Sequence, residues 1–459
     1  MADAPDDATD GAAVTVADRE RHASDPVSDL ALDCVLAGIE AAHPERVVAD
    51  ALSLDGDRLA VTGVDGATVT RDLATYDRVV VVGAGNAAGH FAAAVERLLG
   101  DRIDDGAVVT DDPVETKRIA VLPGDHPTPS EAGVESARRV RALAADADED
   151  DLVIGLLTGG GSALLAAPAD GVGLDALRET TEALLASGAT IAEINAVRKH
   201  LSAVKGGGLS RGGGPARGLG LSRCYGAGSA PGVRSRRPPS PRPPTDGEGS
   251  AGGSPPRGGR GGGRRRAARP ADARGLASSD VTGDDPGVIA SGPLSPDPTT
   301  YADALAVLDR YGIDAPGAAT DRLDRGAAGA VAESPKPGDP AFDGVAVSVV
   351  ANARTAVNAA RAIAAARGYG CLVLSSRVRG EAREAAKTHA AVAEECRTAG
   401  DPIEPPAERT TAGEVTVTLG DGPGRGGPNQ EFALSAALEL DGAGADGEGV
   451  VDAGDDRFV

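Results

Sequence analysis

The chain has no tryptophan, one methionine, and only five tyrosines and four phenylalanines. Its four cysteines (Cys34, Cys224, Cys371, Cys396) lie far apart with no CxxC pair, which argues against a metal or disulfide role and reads as reduced, structural thiols. No apolar run approaches the length that spans a bilayer, and the acidic start MADAPDDATDGAAV is not a signal peptide, so the expected compartment is the cytoplasm. Positive charge is also short. The net charge is −23, lysine is scarce, and the charged residues are mostly Asp, Glu and Arg. That balance disfavours nucleic acid and anionic membranes as partners, and it suits a high-salt cytoplasm that screens self-repulsion.

What the chain does have is glycine in informative places. In the stretch DLVIGLLTGGGSALL (151–165), the apolar run Leu152 to Leu157 meets Thr158, Gly159, Gly160, Gly161 and Ser162, then AlaLeuLeuAla. This reads as a buried strand, a tight turn and a helix start. Three glycines leave their backbone N–H groups unshielded, which is the chemistry of an anion site; the same glycines would also serve a turn that only brings helix and strand together. A second strand–glycine–helix pattern, Val79 to Val82 followed by GAGNAAGH, places Gly83, Gly85 and Ala88 on the GxGxxG/A fingerprint of dinucleotide folds, with Asp111 closing the next apolar run. In IAEINAVRKHLSAVKGGGL (191–209), Arg198, Lys199 and Lys205 crowd together in a lysine-poor chain, as a phosphate-facing cluster would.

Residues 1–25 are acidic, Ala-rich and expected to be mobile; a first helix is expected from Ser28 to Ala42 and a hairpin around Asp55-Gly56. Residues 211–274 differ in kind. They are Gly, Pro, Arg and Ser with almost no aliphatics, so no core can form there and disorder is expected. The segment suits an RGG-like arm or, better, an out-of-frame stretch of a GC-rich gene. Beyond it, Asp280, Asp284 and Asp285 sit at a strand end and turn, oxygen ligands of the kind Mg²⁺–phosphate sites use. ESPKPGDPAFD (333–343) reads as a linker before a second α/β unit, whose strand–glycine loop–helix carries Glu414, Arg425, Asn429 and Glu431.

Taken together, GDHPTP, DLVIGLLTGGGSALL, SGATIAEINAVRKHLSAVKGGGL, SDVTGDDPGVIASGPLSPDPTT, GEAREAA and AGEVTVTLGDGPGRGGPNQEFAL resemble the class II glycerate 2-kinase family with its C-terminal MOFRL-type domain. The resemblance covers most of 79–209 and 276–440. It implies a Rossmann-like larger α/β domain (26–330, interrupted by 211–274), a linker (331–343) and a smaller α/β domain (344–459), with the active site in the cleft between them. It further implies transfer of the γ-phosphoryl of ATP to the 2-hydroxyl of D-glycerate with Mg²⁺, and a homodimer is compatible with it. Gly159, Gly160, Gly161, Ser162, Asn86 and Arg198 would bind substrate or phosphate. Lys199, Lys205 and Asp280 would be catalytic, Asp280 and Asp284 would hold Mg²⁺, and Glu414, Arg425, Asn429 and Glu431 would line the nucleotide.

The sequence departs from the family in four places. Asn86 stands where the family has a lysine, and Pro428 where it has an arginine. The 211–274 segment separates KGGGL from SDVTGDD, and the expected C-terminal strand is replaced by GADGEGVVDAGDDRFV. The alternatives are an inactive copy of the kinase, or an NAD(P)H-dependent hydroxypyruvate reductase built on Gly83, Gly85 and Ala88 with His126 or His200 as its acid or base. A serine hydrolase at Ser162 fails the nucleophile-elbow pattern, because Leu164 occupies the last glycine position.

Overall fold

The computed structural model describes residues 14–211, 272–418 and 426–442. Its centre is a six-stranded parallel sheet of β4 (Arg78–Ala84), β5 (Asp105–Thr110), β6 (Ala120–Pro123), β7 (Asp151–Leu157), β8 (Asp272–Ser278) and β9 (Val345–Ala351), in the order β6-β5-β4-β7-β8-β9. β4 and β7 are buried almost end to end, as strands covered on both faces must be. Alternate residues feed two cores. Val79, Val81, Leu152 and Ile154 pack with Phe91 and Val95 of helix 88–99 on one face. Val80, Val82, Val153 and Leu157 pack with Val140 of helix 131–146 on the other.

Ahead of this sheet, β1 (Leu52–Asp55), β2 (Arg58–Thr62) and β3 (Thr68–Asp72) form a small antiparallel sheet. Its first turn is the expected hairpin, with Asp55 opposite Arg58 and Gly56 at φ +60°. A third core joins helices 174–186, 191–200, 301–311 and 317–327. β10 (Gly370–Val378) and β11 (Ala407–Gly413) form a two-stranded parallel sheet, and helices 382–399 and 428–442 follow in that part of the chain.

Three expectations change. The strand expected to open a second domain at 344 is β9, which pairs with β8 as the sixth strand of the main sheet. Its residues Val345, Val347 and Val349 pack on the β4–β7 core, so the sheet continues through the expected boundary. The described part of the acidic N-terminus is held in place, since Arg19 reaches Asp29 at 2.6 Å and Asp33 at 2.5 Å on helix 26–42. The helix after the glycine loop is a single turn, Gly161–Leu164. The 211–274 segment, apart from Arg211 and the β8 residues 272–274, lies outside the described residues, as do Cys224, Arg425 and 443–459.

Candidate active site

The strand order places the site. From β4 the chain adds β5 and β6 on one side, then returns to lay β7, β8 and β9 on the other. The reversal between β4 and β7 is the switch point, and open α/β sheets take their ligands outside the carboxyl ends of the strands there. Both glycine turns lie at those ends, Gly83–Asn86 after β4 and Thr158–Ser162 after β7.

The two turns touch. The Asn86 amide donates to the Gly159 carbonyl at 2.8 Å, and the Ala87 amide to Thr158 Oγ1 at 3.3 Å. A Cβ on Gly85 would come 1.9 Å from Thr158 Oγ1, and a Cβ on Gly160, whose φ is +76°, would come 1.9 Å from Asn86 Oδ1. The dinucleotide fingerprint is thereby explained by packing: Gly85 is needed for the approach of Thr158. Asp111, which would reach a ribose in a dinucleotide fold, is engaged by the Asn86 amide.

The amides of Gly159 and Gly160 make no hydrogen bond among the described residues. Because the following helix has only four residues, the anion site expected here rests on these loop donors and not on a helix dipole.

Carboxylates stand on one side of the loop. Asp280, just past β8, lies so close that a Cβ on Gly159 would meet its Oδ2 at 2.3 Å. Burial raises the Asp280 pKa above the ordinary carboxylate value, opposed by its own backbone amide and by His126. Glu414, just past β11, is exposed as a residue, yet crowding around its carboxyl and then the charge of Asp280 push its pKa up. Neither carboxylate has a cationic side-chain partner within ion-pair distance among the described residues.

Two cations without ion-pair partners among the described residues follow on the elements packed next to this turn. Ser162 Oγ and Ser291 Oγ are 2.7 Å apart, and Ser291 Oγ donates to Asn195 Oδ1 at 3.0 Å. Arg198 follows Asn195 by one turn of helix 191–200 and forms no ion pair among the described residues; burial pushes its pKa down to about 10. Lys205 is buried and donates to the Leu165 carbonyl at 3.2 Å. Burial, then the charge of Arg198, push its pKa down to about 7. A buried ammonium gains little from one carbonyl, so this pair lacks an anion.

Other expected residues are placed elsewhere or used otherwise. Lys199 is buried against Asp297, Nζ to Oδ1 3.5 Å, where it supports the fold. Burial alone would raise Asp297, but the Thr299 hydroxyl, Lys199 and Ser334 bring it below the ordinary carboxylate value. His200 is likewise structural, its Nδ1 on the Ala196 carbonyl and Nε2 on Glu333. Asp284 accepts from Asn352 Nδ2 at 2.8 Å, so the carboxylate that feels Asp280 is Glu414. Among the described residues no group of three or more His, Cys, Asp or Glu is arranged to hold a metal. Asn429 is exposed on the first turn of helix 428–442, and Glu431 is 3.3 Å from Arg383 Nε. Ser291 and Asn195 were not anticipated; they lie 129 and 33 residues from Ser162 and carry no local motif.

A parallel sheet with glycine turns at its switch point, flanked by uncompensated cations and carboxylates, defines an α/β enzyme site for an anionic substrate. The sequence model of a family described as a domain of unknown function (DUF4147) matches residues 30–222 and 258–324. A protein of Agrobacterium vitis that bears the name hydroxypyruvate reductase is 39% identical, the match spanning 80% of this chain and 70% of that one. The D-glycerate 2-kinase of Thermotoga maritima is 32% identical over 92% of this chain and 80% of its own. The crystal structure of the Thermotoga maritima glycerate kinase superposes with a TM-score of 0.64 at 31% identity, covering 90% of this chain and 79% of that one. The chain belongs to this family of glycerate 2-kinase relatives. Among the described residues no helix is long and apolar enough to cross a membrane.

Proposed function

We propose that the chain phosphorylates D-glycerate at its 2-hydroxyl with ATP, giving 2-phosphoglycerate and ADP. The observation that carries this reading is the charge pattern around one loop. The Gly159 amide, without a hydrogen bond among the described residues, lies against the Asp280 carboxylate, which Glu414 feels; Lys205, on the Leu165 carbonyl three residues past Ser162, and Arg198, whose charge Lys205 feels, form no ion pair among the described residues. A carboxylate or phosphate complements the two cations and a hydroxyl or divalent cation the two carboxylates.

Phosphoryl transfer needs alignment and charge compensation more than covalent help. The glycine amides receive the moving phosphoryl group and Ser162 the carboxylate of glycerate, with Arg198 and Lys205 supplying positive charge. Asp280 takes the proton of the 2-hydroxyl as its oxygen bonds to the γ-phosphorus and the bond to the β–γ bridging oxygen breaks, leaving ADP. Burial raises its pKa above the ordinary carboxylate value, which strengthens it as a proton acceptor. Asp280 and Glu414 also fit Mg²⁺, a hard cation that takes one or two carboxylates and completes its shell with phosphate oxygens and water. When bound it would neutralise the nucleotide's phosphates. Helix 428–442, with Asn429 and Glu431, is the nucleotide side of this reading.

The experiment is a pair of assays on the same preparation: ADP release with D-glycerate and ATP, and NADH oxidation with hydroxypyruvate. ADP release dependent on glycerate supports the kinase; NADH oxidation without ADP release would favour the reductase named for the Agrobacterium relative.

A further inference from the structure

Ser162 ends a buried chain of three polar side chains whose direction is not fixed by the groups themselves. Ser291 is fully buried, and at φ +61° it holds a backbone conformation that a non-glycine residue adopts only when its surroundings impose it. Those surroundings are the Val288 carbonyl, which accepts from its amide at 2.8 Å, and the Gly206 amide, which donates to its carbonyl at 3.0 Å. The hydroxyl is thereby delivered between Ser162 Oγ at 2.7 Å and Asn195 Oδ1 at 3.0 Å. Asn195 is 3% exposed and its Nδ2 has no acceptor among the described residues. A buried donor left unmade costs about 1–3 kcal/mol.

In this arrangement Ser291 donates to Asn195, so Ser291 Oγ receives the Ser162 proton and Ser162 offers only lone pairs to the site. A half-turn of the Asn195 amide reverses the chain. Nδ2 then donates to Ser291, Ser291 to Ser162, and the Ser162 proton is freed. Arg198 lies one turn past Asn195 on helix 191–200, and Lys205 Nζ donates to the Leu165 carbonyl three residues past Ser162; neither forms an ion pair among the described residues, so the ligand this corner fits is an anion that needs a donor.

We propose that Asn195 is a positioning residue which, through Ser291, sets Ser162 as a hydrogen-bond donor to the substrate carboxylate. This rests on the kinase reading for the identity of the substrate and on the geometry of the three side chains for the relay. Asn195→Asp, ionised, can only accept from Ser291, which locks Ser162 as an acceptor facing an anion. Ser162→Ala removes the terminal group.

The test is D-glycerate binding by titration calorimetry to the full-length wild type, N195D, S162A and the double variant, with the melting temperature of each recorded. N195D and S162A should each weaken binding by about tenfold or more, the worth of a hydrogen bond to a charged group. The double variant should be no weaker than S162A alone, because Asn195 acts only through Ser162. ATP affinity should be unchanged in all three. If N195D binds like the wild type, or if the two losses multiply, the relay is overturned while the kinase reading stands. If the wild type binds no glycerate, both fall. Loss of ATP affinity and melting temperature together in N195D would show a merely structural role and also overturn the relay.

Discussion

Asn86 and Asp111 bridge the ends of β4 and β5: the Asn86 amide nitrogen lies 3.0 and 2.8 Å from the two Asp111 carboxylate oxygens. The family resemblance implies a lysine at position 86, where this chain has asparagine. Here a neutral amide neutralises nothing, and Asp111 turns a full negative charge toward the loop that is to receive an anion. Asn86→Lys should therefore raise kcat by about tenfold or more, since a charge aimed at a transferring phosphoryl is worth at least that. Steady-state kinetics at saturating ATP checks it. No change would remove position 86 from the charge balance and leave Arg198 and Lys205 to supply it.

The contact between the two glycine turns leaves no room for a side chain. Gly160→Ala must force a methyl group into Asn86 and hold alanine at φ +76°. Expected is a fall in kcat/KM of about a hundredfold or more, with the near-UV circular dichroism of the fold retained. Gly159→Ala should act similarly by displacing Asp280. Kinetics within about twofold of wild type for both variants would show that the loop amides do not meet the substrate.

Lys205 gives the reaction an alkaline limb. Burial pushes its pKa down to about 7 from the ordinary lysine value of 10.5, so the ammonium that anion binding needs is lost as pH rises through 7 in the free enzyme. kcat/KM for glycerate should fall above that pH, and Lys205→Arg should extend the plateau by about two pH units because arginine keeps its charge. Stability moves the other way. Between about 7 and 10.5 the unfolded chain binds more protons than the folded one at this residue, so this group's contribution to stability rises with pH across that window. The acid limb belongs to Asp280 and Glu414, whose raised pKa values bring their protonation above the ordinary carboxylate range.

A net charge of −23 should make the fold depend on salt. Raising KCl from about 0.1 M to above about 1 M shortens the screening length from about 10 Å to about 3 Å, which relieves repulsion among surface carboxylates. The melting temperature should climb over that range. A flat curve would show that the acidic surface is compensated locally, as it is where Arg78 holds Asp151 and Asp146.

The main sheet and its glycine turns were legible because their signals are local: apolar runs of strand length, each ending in glycines whose spacing marks a tight turn. The loop's neighbours were legible in part. Lys205 could be picked out as a scarce lysine with Arg198 near it, but nothing near Lys199 reveals that Asp297 would bury it, or near Asp284 that Asn352 would occupy it. β9 looked like the start of a new domain because a strand's own sequence carries its burial but not its neighbour; its pairing with β8 decides the matter. Ser291 carries no local signal, and only folding brings it between Ser162 and Asn195.

The central claim is that this site moves a phosphoryl group from ATP to the 2-hydroxyl of D-glycerate. Phosphorus NMR of the full-length protein with ATP, Mg²⁺ and D-glycerate in concentrated KCl reads it directly. The account predicts that ADP and 2-phosphoglycerate appear together in equal amounts, and that Gly160→Ala slows the appearance of both by about a hundredfold or more. ATP left intact under conditions where the protein is folded and binds glycerate would contradict it.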